Sequence, residues 1–313
     1  MQSKVSRRLV ASAIGGTLLY FSFRYIYVNF QWGQIYQLMK QVHLYRFFIG
    51  GGLSIIAYWF LRALRWHLML HRLNIKASLS DLYLCTSIAL SMAILTPVQS
   101  GEAFKVELLK KTSAVDRSPG YTSFALERYL DLFAVMLLAI ISLSARFTGA
   151  GSRLYLLYLL AASVVLLAGL FIVCKWDFGG KAREYQEHIR ACVNDPRTLL
   201  SVAALTLLGW VTVAWGWQIC LHSLSIDINL RDALSLTSIM TIINILSFIP
   251  GAVGVSEAGI AEFLARLGKE PAAAQAGAIV LRFYSFLIIL IGIFHLLFWK
   301  VLRLRRRFQY LDK

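Results

Sequence analysis

Ile249-Pro250-Gly251-Ala252-Val253-Gly254-Val255-Ser256-Glu257-Ala258-Gly259 interrupts an apolar run that begins near residue 233. Proline lacks a backbone donor and glycine has little helical preference, so a helix reaching Ile249 must stop there. The run 233–249 is also short for a hydrocarbon core of roughly 30 Å, which takes about 20 residues of helix to cross. A second stretch reads the same way: the apolar run 82–95 ends at Thr96-Pro97-Val98-Gln99-Ser100-Gly101-Glu102. The residues beyond it, among them Glu102, Lys105, Glu107, Lys110 and Lys111, are too charged to face lipid but can line a wet cavity. Helix breaks are therefore predicted at Pro97 and Gly101, and at Pro250, Gly251, Gly254 and Gly259.

Six apolar blocks of full spanning length surround these broken segments, at 9–30, 47–69, 122–144, 154–174, 199–220 and 277–299. Trp32, Trp66, Trp176 and Trp299 lie near block ends, where interfacial tryptophans are enriched. The first block follows Lys4, Arg7 and Arg8 as a signal peptide would, but it is long and lacks a small-x-small cleavage site, so it is expected to remain as the first span. With 58% hydrophobic and 15% charged residues, the 313-residue chain is far too apolar for an ordinary soluble domain. Leu/Ile-rich blocks of this length exclude a porin-like barrel, whose strands are shorter and alternating. The predicted fold class is an all-α polytopic membrane protein: a single integral membrane domain over residues 1–313, with a cytoplasmic basic tail at 300–313.

The net charge of +16 does not point to nucleic acid, because the basic residues sit between apolar blocks and in the tail, where they read as anchors at an anionic leaflet. Their distribution also predicts topology. If both broken stretches turn back on themselves, twenty Lys and Arg fall inside and seven outside; if both cross, the division is fourteen to thirteen. The positive-inside rule favours two re-entrant helical hairpins and cytoplasmic termini.

The two broken segments are copies. Leu79-Ser80-Asp81 recurs as Leu230-Arg231-Asp232, Thr86-Ser87-Ile88 as Thr237-Ser238-Ile239, Pro97 as Pro250, Glu102 as Glu257 and Arg128 as Arg282, at a nearly constant offset. The internal repeat covers 79–144 and 230–299. With re-entrant hairpins the first copy enters from the cytoplasm and the second from outside, an inverted arrangement found in transporters.

Ionisable residues inside spans are costly and mark candidate sites. Glu127, Arg128 and Asp131 share the block 122–144, with Arg128 and Asp131 at i, i+3 and Glu127 and Asp131 at i, i+4. They form either a self-neutralising ion pair or a headgroup or proton site. Glu102 and Glu257 follow the breaks, each near a serine able to cap the next helix (Ser100, Ser256), and either complement a positive helix end or take part in transport. Arg282 has no carboxylate one turn away, so it needs a partner from another helix or a ligand phosphate. Arg24, Arg62 and Arg65 read as snorkelling. Cys85, Cys174, Cys192 and Cys220 show no spacing for a disulfide framework or metal site, and no cofactor motif appears.

The Thr96-Pro97 break with Gly101-Glu102, the Glu127-Arg128-x-x-Asp131 helix and above all Ile249-Pro250-Gly251-x-x-Gly254-Val255-x-Glu257-Ala258-Gly259 resemble the lysylphosphatidylglycerol synthase transmembrane family. These are flippase-like proteins, and the same unit forms the lipid-flipping half of the multiple peptide resistance factor. The resemblance implies translocation of an anionic, aminoacylated or polyprenyl-linked lipid across an inner (cytoplasmic) membrane, with Glu102, Glu127, Arg128, Asp131, Glu257 and Arg282 as headgroup or transport residues and membrane lipids as partners. Full-length synthases of that family carry a soluble aminoacyl-transferase domain after the membrane part; none follows within these residues, so synthase activity is not expected. The competing classes are a membrane-embedded transferase or phosphatase acting on a lipid phosphate, for which no compact catalytic motif is present, and a scaffold for a lipid or glycan assembly complex.

Overall fold

The computed structural model describes residues 16, 17, 20–113, 117–144, 150–176, 179–247 and 249–311, and among these every regular element is helical. Of the first predicted span, residues 20–29 form helix α1, while 9–15, 18 and 19 lie outside the described residues. A short amphipathic helix α2 (Trp32–Met39) follows. A π-turn at Arg46–Gly50 then leads into α3 (Gly51–Arg72).

Helix α4 (Leu79–Leu95) begins where the repeat begins: Ser78 Oγ accepts the backbone N–H of Asp81 at 3.2 Å and caps the helix. The equivalent helix α10 (Leu230–Leu246) is capped by Asn229 Oδ1, which accepts the N–H of Asp232 at 2.8 Å. Both helices have 17 residues. At 1.5 Å per residue that is about 26 Å, a little short of a full crossing. Each gives way to a 3₁₀ segment opened by proline, Pro97–Ala103 after α4 and Pro250–Ala252 after α10. Helices then restart as α5 (Phe104–Ser113) and α11 (Val255–Arg266), and each copy closes with a long helix, α6 (Arg117–Leu143) or α12 (Pro271–Leu311). Between the copies lie α7 (Ala150–Lys175), α8 (Lys181–Val193) and α9 (Pro196–His222).

The copies pack crosswise. Helix α4 lies against α12, α10 against α6, and α3 against α9, while the two 3₁₀ breaks touch one another. Small residues permit these crossings, as at Gly216 of α9, where a Cβ would come within 2.2 Å of Ser54 Oγ of α3.

By length and composition, four helices among the described residues can cross a membrane: Arg46–Arg72, Leu156–Lys175, Pro196–His222 and Pro271–Val301. They contain the predicted blocks at 47–69, 199–220 and 277–299 and most of that at 154–174. The block at 122–144 falls almost wholly within the 27-residue α6, which is long enough but carries Glu127, Arg128 and Asp131. The basic stretch from Lys300 is helical, since α12 runs through Leu311, as its Leu, Lys and Arg content favours. One expectation is corrected. Gly259 does not break a helix but lies inside α11, where a Cβ would be 3.0 Å from Met240 Cε and Sδ of α10; it marks close packing.

Candidate functional site

At the second break the chain turns through three left-handed residues: Gly251 (φ 62°), Ala252 (φ 46°) and Gly254 (φ 88°). Helix α11 then starts with Glu257 in its first turn, where Glu257 Oε2 accepts the Gly254 N–H at 2.7 Å. The carboxylate thus caps the helix it belongs to and complements its positive end. Its other oxygen pairs with Arg282 Nε from α12. Arg282 also donates from Nη1 to the Gly251 carbonyl (2.9 Å) and from Nη2 to Ser256 Oγ (2.7 Å). The partner that Arg282 lacks on its own helix therefore comes from α11. Ser256 is not the cap: it lies within α11 and accepts from the arginine.

The first break repeats this pairing in a denser setting. Thr96 Oγ1, rather than Ser100, accepts the Gly101 N–H at 2.7 Å, and Gly101 fits only because a Cβ would come within 2.8 Å of the Met92 carbonyl. Glu102 pairs with Arg128 Nη2 at 2.6 Å, the counterpart of Glu257 with Arg282. Arg62 also pairs with Glu102, and Lys105 Nζ lies 3.5 Å from it. Asp131 receives Arg62 (3.0 Å), Arg65 (2.6 Å) and Arg128 (2.8 Å). Glu127 pairs with Lys105 and lies 3.4 Å from Arg65 Nε.

The predicted residues Glu102, Glu127, Arg128 and Asp131 are thus brought together, but three of their partners had been read otherwise. Arg62 and Arg65 do not snorkel; they are 3% and 1% exposed and hold the carboxylates from α3. Lys105 is not a loop anchor but fully buried, its ammonium 4.6 Å above the Trp66 ring. Trp66 is itself buried and donates to Ser123 Oγ at 2.9 Å instead of marking an interface, and Trp299 is buried as well. A charge count signals the missing cations: Glu102, Glu127 and Asp131 are three carboxylates beside one arginine, and burial of unpaired carboxylates demands cations from elsewhere. The assembled cluster overshoots neutrality, with Arg62, Arg65, Lys105 and Arg128 against three acids. Its surplus positive charge is nearest solvent at Arg128, whose side chain is 27% exposed and whose Nε has no hydrogen-bond partner among the described residues.

A cavity of about 90 Å³ with a mixed lining lies between the two breaks; its polar groups come from Thr96 and Gln99 at the first and from Ser256, Glu257 and Arg282 around the second, and Ile94, Ile249, Ile260 and Leu281 are among its apolar ones. Gln99 connects it to the cluster, accepting from Arg128 Nη1 at 3.4 Å. Asn244 lines it too, and its side-chain carbonyl has no hydrogen-bond partner among the described residues. A second, larger cavity of about 760 Å³ is an apolar groove between α1 and α12, walled by Phe23, Tyr27, Ile279 and Phe286. Glu257 and Arg282 line both. Among the described residues no group of His, Cys, Asp and Glu could hold a metal ion.

The profile of a protein family described as "Lysylphosphatidylglycerol synthase TM region" matches residues 8–292. A "UPF0104 membrane protein" of Methanothermobacter thermautotrophicus is 20% identical over 257 residues, which cover 71% of this chain and 76% of that protein.

Proposed function

The chain belongs to the lysylphosphatidylglycerol synthase transmembrane family, and from that premise we propose that it is a lipid translocase that moves an anionic lipid across the cytoplasmic membrane. One observation carries the reading: Glu257 and Arg282 border both a small cavity with several polar groups and a large apolar groove. An amphipathic substrate needs both environments around its headgroup junction, and a water-soluble solute needs only the first.

On this reading Arg282 binds the headgroup phosphate, since a guanidinium presents a fork that matches phosphate oxygens two at a time. Arg128 supports it through the surplus charge of the first cluster. Glu257 pairs with Arg282 in the structure, and on this reading it occupies the position that a phosphate would take. An incoming phosphate displaces the carboxylate, which keeps its bond from the Gly254 N–H, and the returning carboxylate releases the phosphate. Competition of this kind lets the site bind tightly enough to capture a lipid and loosely enough to discharge it.

The proposed architecture is six spans and two re-entrant hairpins in an inverted repeat, with both termini cytoplasmic. Crosswise packing of α4 on α12 and α10 on α6 supports a two-fold relation between the copies. The loop charges support the orientation, and withdrawing Lys105 from the inner side does not change their sign.

Purified protein in liposomes with headgroup-labelled lipids tests the function. Protein-dependent exchange of an anionic lipid between leaflets, without covalent change, is the expected result. A new lipid product would favour the transferase or phosphatase instead, and an absence of protein-dependent exchange would contradict the translocase. Mass spectrometry of co-purified lipid would name the substrate.

A further inference from the structure

Helix α1 turns an unusual set of residues outward. Tyr20, Phe21, Phe23, Tyr25, Tyr27 and Val28 are exposed apolar or aromatic side chains suited to lipid. Arg24 stands among them, exposed on the same helix. A guanidinium in such surroundings requires an anion, and among the described residues no carboxylate is paired with it. It does not point to open lipid alone. Arg24 lines the groove between α1 and α12, together with Glu257 and Arg282. The position is held by packing: α1 lies so close to the second break that a Cβ on Gly254 would come within 2.3 Å of Ser22 Cβ, two residues before Arg24.

From this juxtaposition we infer that the α1–α12 groove is the lateral way in from the bilayer for a phosphate-bearing lipid, with Arg24 as a first binding site for the phosphate and the groove walls holding a hydrocarbon chain. The inference rests on the translocase reading and extends it by naming the route and a residue outside the repeat. The occupant follows from the lining: aromatic and aliphatic walls suit an acyl or prenyl chain, and two arginines suit the phosphate that joins such a chain to its headgroup. Glu257 is paired with Arg282 and not with Arg24 among the described residues, so a phosphate passing from Arg24 to Arg282 meets the competing carboxylate only at the second step. Helix α7, largely exposed and apolar, carries no cation between Leu156 and Cys174, and that stretch serves as the comparison surface.

Photolabelling tests this. Protein reconstituted in phosphatidylcholine vesicles is exposed to phosphatidylglycerol carrying a photoreactive acyl chain, or to diacylglycerol carrying the same chain, and the labelled residues are mapped by mass spectrometry. Phosphatidylglycerol is expected to label Phe23, Tyr27 and Phe286 above the level on α7. Arg24→Gln should lower that labelling by about tenfold or more, the loss expected for one charge-assisted hydrogen bond, while Arg24→Lys retains most of it and diacylglycerol labelling is unchanged. Groove labelling no higher than that of α7, or equal labelling in wild type and Arg24→Gln, would overturn the route. Leaflet exchange measured in the same vesicles separates the two readings: exchange without groove labelling sinks only this route, and groove labelling without exchange sinks only the translocase.

Discussion

The two copies of the repeat contain the same Glu–Arg pair in opposite circumstances. Glu102 with Arg128 is enclosed by Arg62, Arg65, Lys105, Glu127 and Asp131, almost all inaccessible, so that each charge is held by several others. Among the described residues, the hydrogen-bond partners of Glu257 and Arg282 besides each other are a serine, a carbonyl and a backbone N–H, and the pair borders both cavities. A buried charge that loses its partner costs several kcal/mol, and a network of seven shares that risk among many contacts. The first pair is therefore held by several partners at once, and on the proposed reading the second is the one able to exchange its carboxylate for a ligand. The proposed division is a fixed anchor in one half and a working site in the other.

The comparison can be broken most completely at the level of orientation, where the expected effect is all or none. If the copies are inverted, a cysteine at Ser118 is labelled by impermeant thiol reagents only from the cytoplasmic side and one at Lys269 only from outside. Labelling of both from one side would end the inverted reading. The next effect concerns folding. Asp131→Asn leaves Arg62, Arg65 and Arg128 without a shared carboxylate and should destabilise the protein by about 3–5 kcal/mol, read as a large loss of thermal stability in detergent. Wild-type stability would mean that the first cluster is no anchor. A smaller effect is expected at the second pair, where Arg282→Lys keeps the charge but loses the fork. Leaflet exchange should slow about tenfold with the fold intact. The smallest effect separates two glycines of one motif. Gly254→Ala meets both a left-handed backbone and Ser22, and should cost on the order of 1–3 kcal/mol. Gly259→Ala meets only the flexible end of Met240 and should cost less in the same melting experiment.

The parts of this arrangement that were legible in the sequence are the local ones. Proline and glycine end α4 and α10, and Asp81 and Asp232 mark their capped starts, because those effects act within a turn of helix. The pairing of Glu102 with Arg128 and of Glu257 with Arg282 was foreshadowed by their matching places in the repeat. The ion cluster was not legible, because Arg62 and Arg65 meet acids 40 and 66 residues away and look like ordinary snorkelling residues near the end of a span. Only packing α3 against the first break buries them. Gly259 was misread for a related reason: a glycine that breaks a helix and one that admits a neighbouring helix look identical until the neighbour is in place.

The account stands on Glu257 as an exchangeable partner of Arg282, and leaflet exchange of an anionic lipid in wild type and Glu257→Gln tests that most directly. Glutamine keeps the shape and still accepts the Gly254 N–H, so insertion and stability should be nearly normal. It cannot hold the place of a phosphate on the arginine as a carboxylate does, so exchange should fall by about tenfold or more, with bound lipid retained longer on the variant. Equal exchange in the two proteins would contradict the account and leave Glu257 as a helix cap with no part in transport.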